Sequence, residues 1–255
     1  MILEGKKGAI LGVANKRSIA WAVARAASDA GAELALTYQG ERLAGGVGKL
    51  ADGLPRPAFT LPCDVTAPGQ IEAFAEAVRE RFGGLDFLVH SIAYAPTDEL
   101  RGAFHDTTRD GFDVALNVSV YSFVELARVV APILREGASL LTMTYIGAVR
   151  VVPNYNLMGV AKAALESAVR YLAYDLGPKG IRVNAVSAGP VRTLSTAAIG
   201  QFGLILDHVQ QTAPLRRNIT ADEVGDAATF LLSDMSRAIT GTVLYADAGY
   251  HIMGV

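Results

Sequence analysis

Short apolar runs alternate with longer amphipathic stretches from one end of the chain to the other. The runs fall at 8–12, 33–38, 58–63, 85–91, 139–144, 182–187 and 242–246, and most are hydrophobic on both faces. Strands of a parallel sheet read this way, because helices bury each face. Between them, 18–30, 68–82, 109–134, 156–176 and 221–233 carry helical patterning. This rhythm predicts an α/β fold: a single-domain, Rossmann-type, doubly wound parallel sheet with helices on both faces. Ligands of such sheets bind at the carboxyl ends of the strands. No internal repeat, low-complexity tract or linker divides the sequence, so 1–255 reads as one dinucleotide-binding and catalytic domain. The segment 191–213 breaks the rhythm, with Ile199, Phe202, Leu204, Ile205, Leu206 and Val209 near Gly200 and Gly203 as hinges. A connection this long is either a surface helix pair or a lid whose apolar side covers an apolar substrate.

Composition narrows the function classes. Hydrophobic residues make up 51% of the 255, ample for a large core, and a net charge of −2 argues against nucleic acid as a main partner. No uninterrupted apolar run approaches the roughly 18 residues of a membrane span, so no membrane insertion is expected. Residues 1–7 lead directly into a strand without a cleavage-type region, which makes the cytoplasm the expected compartment. Cys63 is the only cysteine; it can form no internal disulfide and reads as packing. His90, His105, His208 and His251 lack metal-ligand spacing, and no metal is expected.

The chemistry-bearing residues cluster at strand ends. Tyr155 and Lys162 stand seven residues apart, and of nine tyrosines only Tyr155 has a lysine at that offset. On a helix, seven steps make about two turns, so both side chains project from one face. A phenol can donate to a developing oxyanion, and a nearby ammonium is expected to favour the phenolate. The stretch 158–165 is otherwise small or apolar, so Lys162 needs a partner. The first strand ends at Gly12, and Ser18 precedes an alanine-rich helix. Such a turn offers free amides to a pyrophosphate, with Ser18 able to cap the helix and reach the phosphate. Gln39 after the second strand is neither acidic nor basic, which favours NADH over NADPH without excluding a 2′-phosphate. Asp64-Val65 reads equally as an adenine-side contact or a cap before Pro68. Tyr145, at a strand end, reads on its own as structure.

Read together, Gly12-x5-Ser18-Ile19, Tyr38-Gln39, Cys63-Asp64-Val65, His90-Ser91-Ile92-Ala93-Tyr94-Ala95-Pro96, Tyr145, Tyr155-x6-Lys162 and the run 182–193 occur in order. This set resembles the NADH-dependent enoyl-[acyl-carrier-protein] reductases of bacterial type II fatty acid synthesis, a divergent branch of the short-chain dehydrogenases/reductases. The resemblance covers essentially the whole chain. It implies that Gly12, Ser18 and Ile19 lie along the cofactor pyrophosphate, and Gln39, Asp64 and Val65 around its adenosine. It places Ile92 on the nicotinamide-ribose side and gives Lys162 the ribose hydroxyls. Val191, Thr193, Leu194 and Ser195 would close over the carboxamide and phosphates. Ala95 would offer backbone to the substrate, Tyr155 would bond the thioester carbonyl, and Tyr145 would sit beside the substrate. A homotetramer and an enoyl thioester carried on acyl carrier protein are also implied, with the apolar tail from Tyr250 in subunit packing.

The spacing has a chemical sense within that resemblance. Ordinary members of the superfamily place Tyr and Lys four apart and reduce the carbonyl carbon; no tyrosine here has a lysine at that offset. In an enoyl thioester the hydride goes to the β-carbon, and a hydroxyl one further turn away, about 5.4 Å along the helix, suits the displaced oxygen. The rival readings are a 3-oxoacyl reductase and a dinucleotide-binding sensor without turnover. Two departures from the family pattern stand out. Ala93 replaces a frequent glycine, and no Lys or Arg occurs from Thr196 to Gln211. Arg192, Arg216 and Arg217 are then the nearby cations for an acidic carrier protein.

Overall fold

The computed structural model describes residues 1–193, 196, 200 and 202–254. Seven strands, β1 (Lys7–Leu11), β2 (Glu33–Tyr38), β3 (Phe59–Pro62), β4 (Leu85–His90), β5 (Leu134–Thr144), β6 (Arg182–Ala188) and β7 (Val243–Ala246), form one sheet. Its order is β3-β2-β1-β4-β5-β6-β7, and every neighbouring pair is parallel. Because the chain runs outward from β1 to β3 and then returns to β4, the winding reverses between β1 and β4. That reversal leaves a crevice at their carboxyl ends.

Helices cover both faces. On one side α1 (Ile19–Asp29), α2 (Glu41–Asp52) and α8 (Ala221–Leu232) bury Trp21, Val23, Val47, Val224 and Leu231 against Ile10, Leu36 and Val89. On the other, α3 (Gln70–Phe82), α5 (Ser122–Val130) and α6 (Asn156–Leu176) bury Phe74, Val78, Phe123, Leu126 and Leu165 against Leu11, Leu88 and Leu140. Two helices, α4 (Arg109–Leu116) and α7 (Phe202–Thr212), lie near the carboxyl-end crevice.

The structure departs from the sequence expectation in four places. Helix α2 was not expected: Gly45, Gly46 and Gly48 each weaken a helix by about 1 kcal/mol, and the burial of Val47 and Ala51 offsets this. The strand expected at 139–144 starts earlier, at Leu134, directly after the helical stretch, and there Arg135 pairs with Asp86 of β4 at 2.7 Å. Within that helix, Asn117–Tyr121 forms a π-turn, a feature common beside functional sites. Finally, Arg109–Ile133 forms a continuous 25-residue helical stretch, long and apolar enough by composition to cross a membrane. Polar interruptions hid this in the sequence. Its apolar side, through Phe123, Leu126 and Val130, is already packed on the sheet.

Candidate active site

The crevice holds two adjoining cavities. The first, of about 200 Å³, is lined by Gly12, Ser18, Ile19, Ile92, Tyr145, Tyr155, Lys162, Val191 and Thr193, with Phe202 and Ile205 of α7. The second, of about 620 Å³, shares Gly12 and Ile92 and is lined by Gln39, Leu43, Asp64 and Val65. The residues expected at the nicotinamide end and at the adenosine end therefore fall in two connected spaces. Leu194, Ser195 and Ile199 lie outside the described residues. Ala95 lines neither cavity; it is buried beside Tyr155 with Leu100 and Met158.

The turn after β1 depends on Gly12. Its φ is +93°, a conformation side chains disfavour, and an added Cβ would meet the Ser91 carbonyl at 2.3 Å. The loop then enters α1, where the Trp21 and Ala22 amides bond the Ser18 carbonyl and the positive end of the helix suits a pyrophosphate. Ser18 occupies the N-cap position, yet its side chain does not cap: the hydroxyl donates to the Asn15 carbonyl at 2.6 Å. The expected cap is thus replaced by a bond that tightens the turn. At the other end, Gln39 Nε2 donates to Asp64 Oδ2 at 3.2 Å, and Asp64 Oδ1 accepts from the Thr66 amide and hydroxyl. Asp64 therefore caps no helix; α3 starts after Gly69. Burial pushes the Asp64 carboxyl up, but the bonds from Thr66 and Gln39 win and hold it below its ordinary value.

Tyr145 follows β5 and Tyr155 immediately precedes α6, and their rings meet edge to face with centroids 5.0 Å apart. Two glycines permit this approach. A Cβ on Gly147 would lie 2.6 Å from the Tyr155 ring, and one on Gly159 would lie 2.8 Å from the Gly147 carbonyl. For Gly159→Ala, helix propensity favours alanine by about 1 kcal/mol, whereas overpacking costs about 1–3 kcal/mol. We expect a net loss of about 1 kcal/mol in chemical denaturation; an alanine variant as stable as the parent would refute the steric reading.

Lys162 is buried, and Nζ donates to the Met143 carbonyl at 2.8 Å. Burial lowers its pKa to about 8, with Glu166 acting in the opposite sense. Tyr155 behaves otherwise than expected. Burial, then the charge of Tyr145, raises its pKa well above the ordinary phenol value, so the group is a neutral donor. Burial, Tyr250 and Asp247 likewise push Tyr145 up to about 12.

Several residues outside the expected set also bear on the site. Ser91, Met143, Thr144, Gly189, Pro190 and Thr196 line the first cavity. Thr196 Oγ1 accepts from the Thr193 amide at 2.8 Å and donates to the Val191 carbonyl at 3.2 Å, tying the start of the covering segment together. Ser119, in the π-turn, accepts from the Tyr94 amide at 3.0 Å and so holds the loop after β4. A π-turn inside an apolar helix leaves no sequence signal of that kind. His90 is fully buried between Thr142 and Ser122 hydroxyls, both at 2.9 Å, and burial lowers its pKa to about 3. Cys63 is buried, with its thiol pushed up to about 12. Among the described residues no cluster of His, Cys, Asp or Glu could hold a metal ion. Of the three cations considered for a carrier protein, Arg217 pairs with Glu223 and Arg216 bonds the Gln211 carbonyl, while Arg192 is exposed between Val191 and Thr193.

The chain as a whole is similar to known proteins. The family model described as enoyl-(acyl carrier protein) reductase matches residues 12–251. An enoyl-[acyl-carrier-protein] reductase [NADH] of Bacillus cereus is 50% identical over 254 residues, 99% of each chain. A Rhizobium meliloti enzyme of the same name is 51% identical, covering 98% of this chain and 93% of its own. Among solved structures, the Bacillus cereus reductase with NADP+ and indole naphthyridinone superposes with a TM-score of 0.98, at 50% identity, over 100% of this chain and 99% of its own. The Anaplasma phagocytophilum reductase in complex with NAD gives 0.96 at 47% identity, over 100% and 97%. With its family model, fold and full-length relatives in agreement, this chain belongs to the NADH-dependent enoyl-[acyl-carrier-protein] reductases.

Proposed function

We propose that Tyr155 and Lys162 divide the work of the family's reaction, the reduction of the C2=C3 bond of a trans-2-enoyl thioester with NADH during fatty acid elongation. The observation that carries this reading is their shared position in the wall of one cavity, two helical turns apart. NADH, when bound, supplies the hydride that the β-carbon accepts. Tyr155, a neutral phenol, donates a hydrogen bond to the thioester oxygen, where negative charge collects until the α-carbon takes up a proton and the saturated thioester forms. Because the donor is already fixed by packing against Tyr145, little reorganisation is needed as charge develops. Lys162, anchored at Met143, has protons left for the cofactor ribose hydroxyls. Tyr145 borders the substrate. Phe202 and Ile205 present an apolar wall, which suits an acyl chain.

The remaining residues would hold the cofactor. Gly12, Ser18 and Ile19 line the pyrophosphate side, Ile92 the nicotinamide ribose, and Val191 with Thr193 the carboxamide. The fit is supported by the left-handed turn at Gly12, where the missing side chain lets the turn after β1 pass close to the Ser91 carbonyl. At the adenosine end, Gln39 and the Asp64 carboxylate offer no cation for a 2′-phosphate, which supports NADH as the working cofactor.

The assay that tests the reading compares crotonyl and acetoacetyl thioesters while following NADH absorbance. Oxidation with crotonyl thioester alone is the expected result. Oxidation with acetoacetyl thioester instead would favour a carbonyl reductase, and tight NADH binding with no turnover on either would favour a sensor.

The tetramer implied by the family finds support in one exposed face. Val160, Tyr171 and Tyr174 project from one side of α6 at 37%, 74% and 81% exposure, and Val114 and Tyr121 are exposed on the neighbouring helical stretch. An apolar and aromatic surface of this kind fits a second copy of the chain. Light scattering of the purified protein checks the oligomer. The cytoplasm is the compartment this reading assigns, with the thioester delivered on acyl carrier protein.

A further inference from the structure

Glu166 is a buried carboxylate that the reaction as described leaves unused. It is 6% exposed, on the face of α6 that carries Lys162, four residues further along. Two consecutive residues of β5 hold the two groups: the Met143 carbonyl takes the Lys162 ammonium at 2.8 Å, and the Thr144 hydroxyl donates to Glu166 Oε1 at 2.7 Å. Thr144 also lines the catalytic cavity. The order along the helix, lysine before glutamate, is the less favourable one for helix stability. The pair also falls outside contact distance, since no Lys162–Glu166 ion pair forms within 4 Å among the described residues. Burying a carboxylate in this way is costly. Helix propensity and a direct salt bridge therefore do not account for it; the Thr144 hydroxyl bond offsets the burial first, followed by the charges of Arg170 and Lys162.

We propose that Glu166 is a positioning residue for the reduction: hung from Thr144, its carboxylate keeps Lys162 an ammonium directed at the cofactor ribose. This rests on the role given to Lys162 above. The other charged or titratable groups facing the pair do not substitute for it. His90, from β4, lies near Lys162 and stays neutral down to about pH 3. Tyr245, from β7, is raised by burial and then by the charges of Glu166 and Asp247, so it stays uncharged. Arg170, on α6 itself, is a cation near Glu166 and opposes a second positive charge. Glu166 is thus the anion that favours the charged lysine, whose pKa burial lowers to about 8.

The experiment titrates NADH affinity by the coenzyme's own fluorescence from about pH 6 to about pH 10. The sign follows from a depressed lysine pKa: the ammonium is present on the acid side and is lost as pH rises through about 8. The parent protein should bind NADH evenly at low pH and weaken through that midpoint. In Glu166→Gln the midpoint should fall by about half a unit to one unit, weakening NADH about two- to fivefold near the parent midpoint while leaving affinity near pH 6 unchanged. Glu166→Asp, which keeps the charge, should restore most of the shift. If Glu166→Gln does not fold, Thr144→Val carries the test, with a smaller shift in the same direction. A parent midpoint retained in these variants, with only thermal stability lowered, would overturn the inference and leave Glu166 a structural residue. Lys162→Ala separates the two readings. If it keeps the parent pH dependence, the role of Lys162 itself fails; if it abolishes that dependence while Glu166→Gln leaves it untouched, only the role of Glu166 fails.

Discussion

Tyr155→Phe should lower turnover on an enoyl thioester by about a hundredfold while leaving NADH affinity within about twofold. The ring is 9% exposed and packs edge to face on Tyr145, with Ala95, Leu100 and Met158 around it. Phenylalanine fills the same volume, so the change removes one hydroxyl and nothing else. A single preorganised donor at a developing oxyanion is worth about a hundredfold to a thousandfold in rate, and the lower figure applies where the charge is spread over a thioester enolate. Because burial raises the Tyr155 pKa far above neutrality, the hydroxyl remains a donor across the working range. No loss of activity from its ionisation is expected at moderately alkaline pH. The measurement pairs single-turnover rates with NADH titration. An undiminished rate on every enoyl substrate would remove Tyr155 from the chemistry.

The contrast between Lys162 and Tyr155 shows where sequence reading stops. Lys162 was legible because a charge in an apolar helical stretch demands a purpose, and Tyr155 was legible through its offset from that lysine. What the offset did not convey was depth. Once Tyr155 is seen to be buried, desolvation outweighs any help from the ammonium, and the phenolate expected from proximity gives way to a phenol. The strands were legible for a related reason: a sheet covered on both faces needs apolar side chains at nearly every position. Where polar residues entered, as at Arg135 and Glu136 in β5, the strand start was misplaced, because a partner on β4, Asp86, satisfies the charge and is invisible to local pattern. Helix α2 was hidden by glycines whose cost tertiary burial offsets. The Gly147–Gly159 approach joins positions distant in pattern, and only geometry reveals it.

Lys162→Ala should weaken NADH binding by about 10- to 150-fold at neutral pH, the value of one hydrogen bond from a charged group, about 1.5–3 kcal/mol. Its effect on the chemical step at saturating NADH should be smaller than that of Tyr155→Phe, since the thioester oxygen is bonded by the tyrosine. Two causes of weakened binding have to be separated, because the substitution also removes a buried stem and leaves the Met143 carbonyl without its donor. Lys162→Met keeps most of the stem's volume while removing the charge. Equal losses of affinity in the two variants would assign the effect to the ammonium; a loss confined to alanine would assign it to packing, and unchanged affinity in both would end the ribose role. The lysine in this reading is a cofactor clamp that is charged at neutral pH and loses its proton as pH rises through about 8, where burial has brought its pKa. Cofactor affinity should therefore be the property of this enzyme that responds first to alkali, before the tyrosine or the fold does.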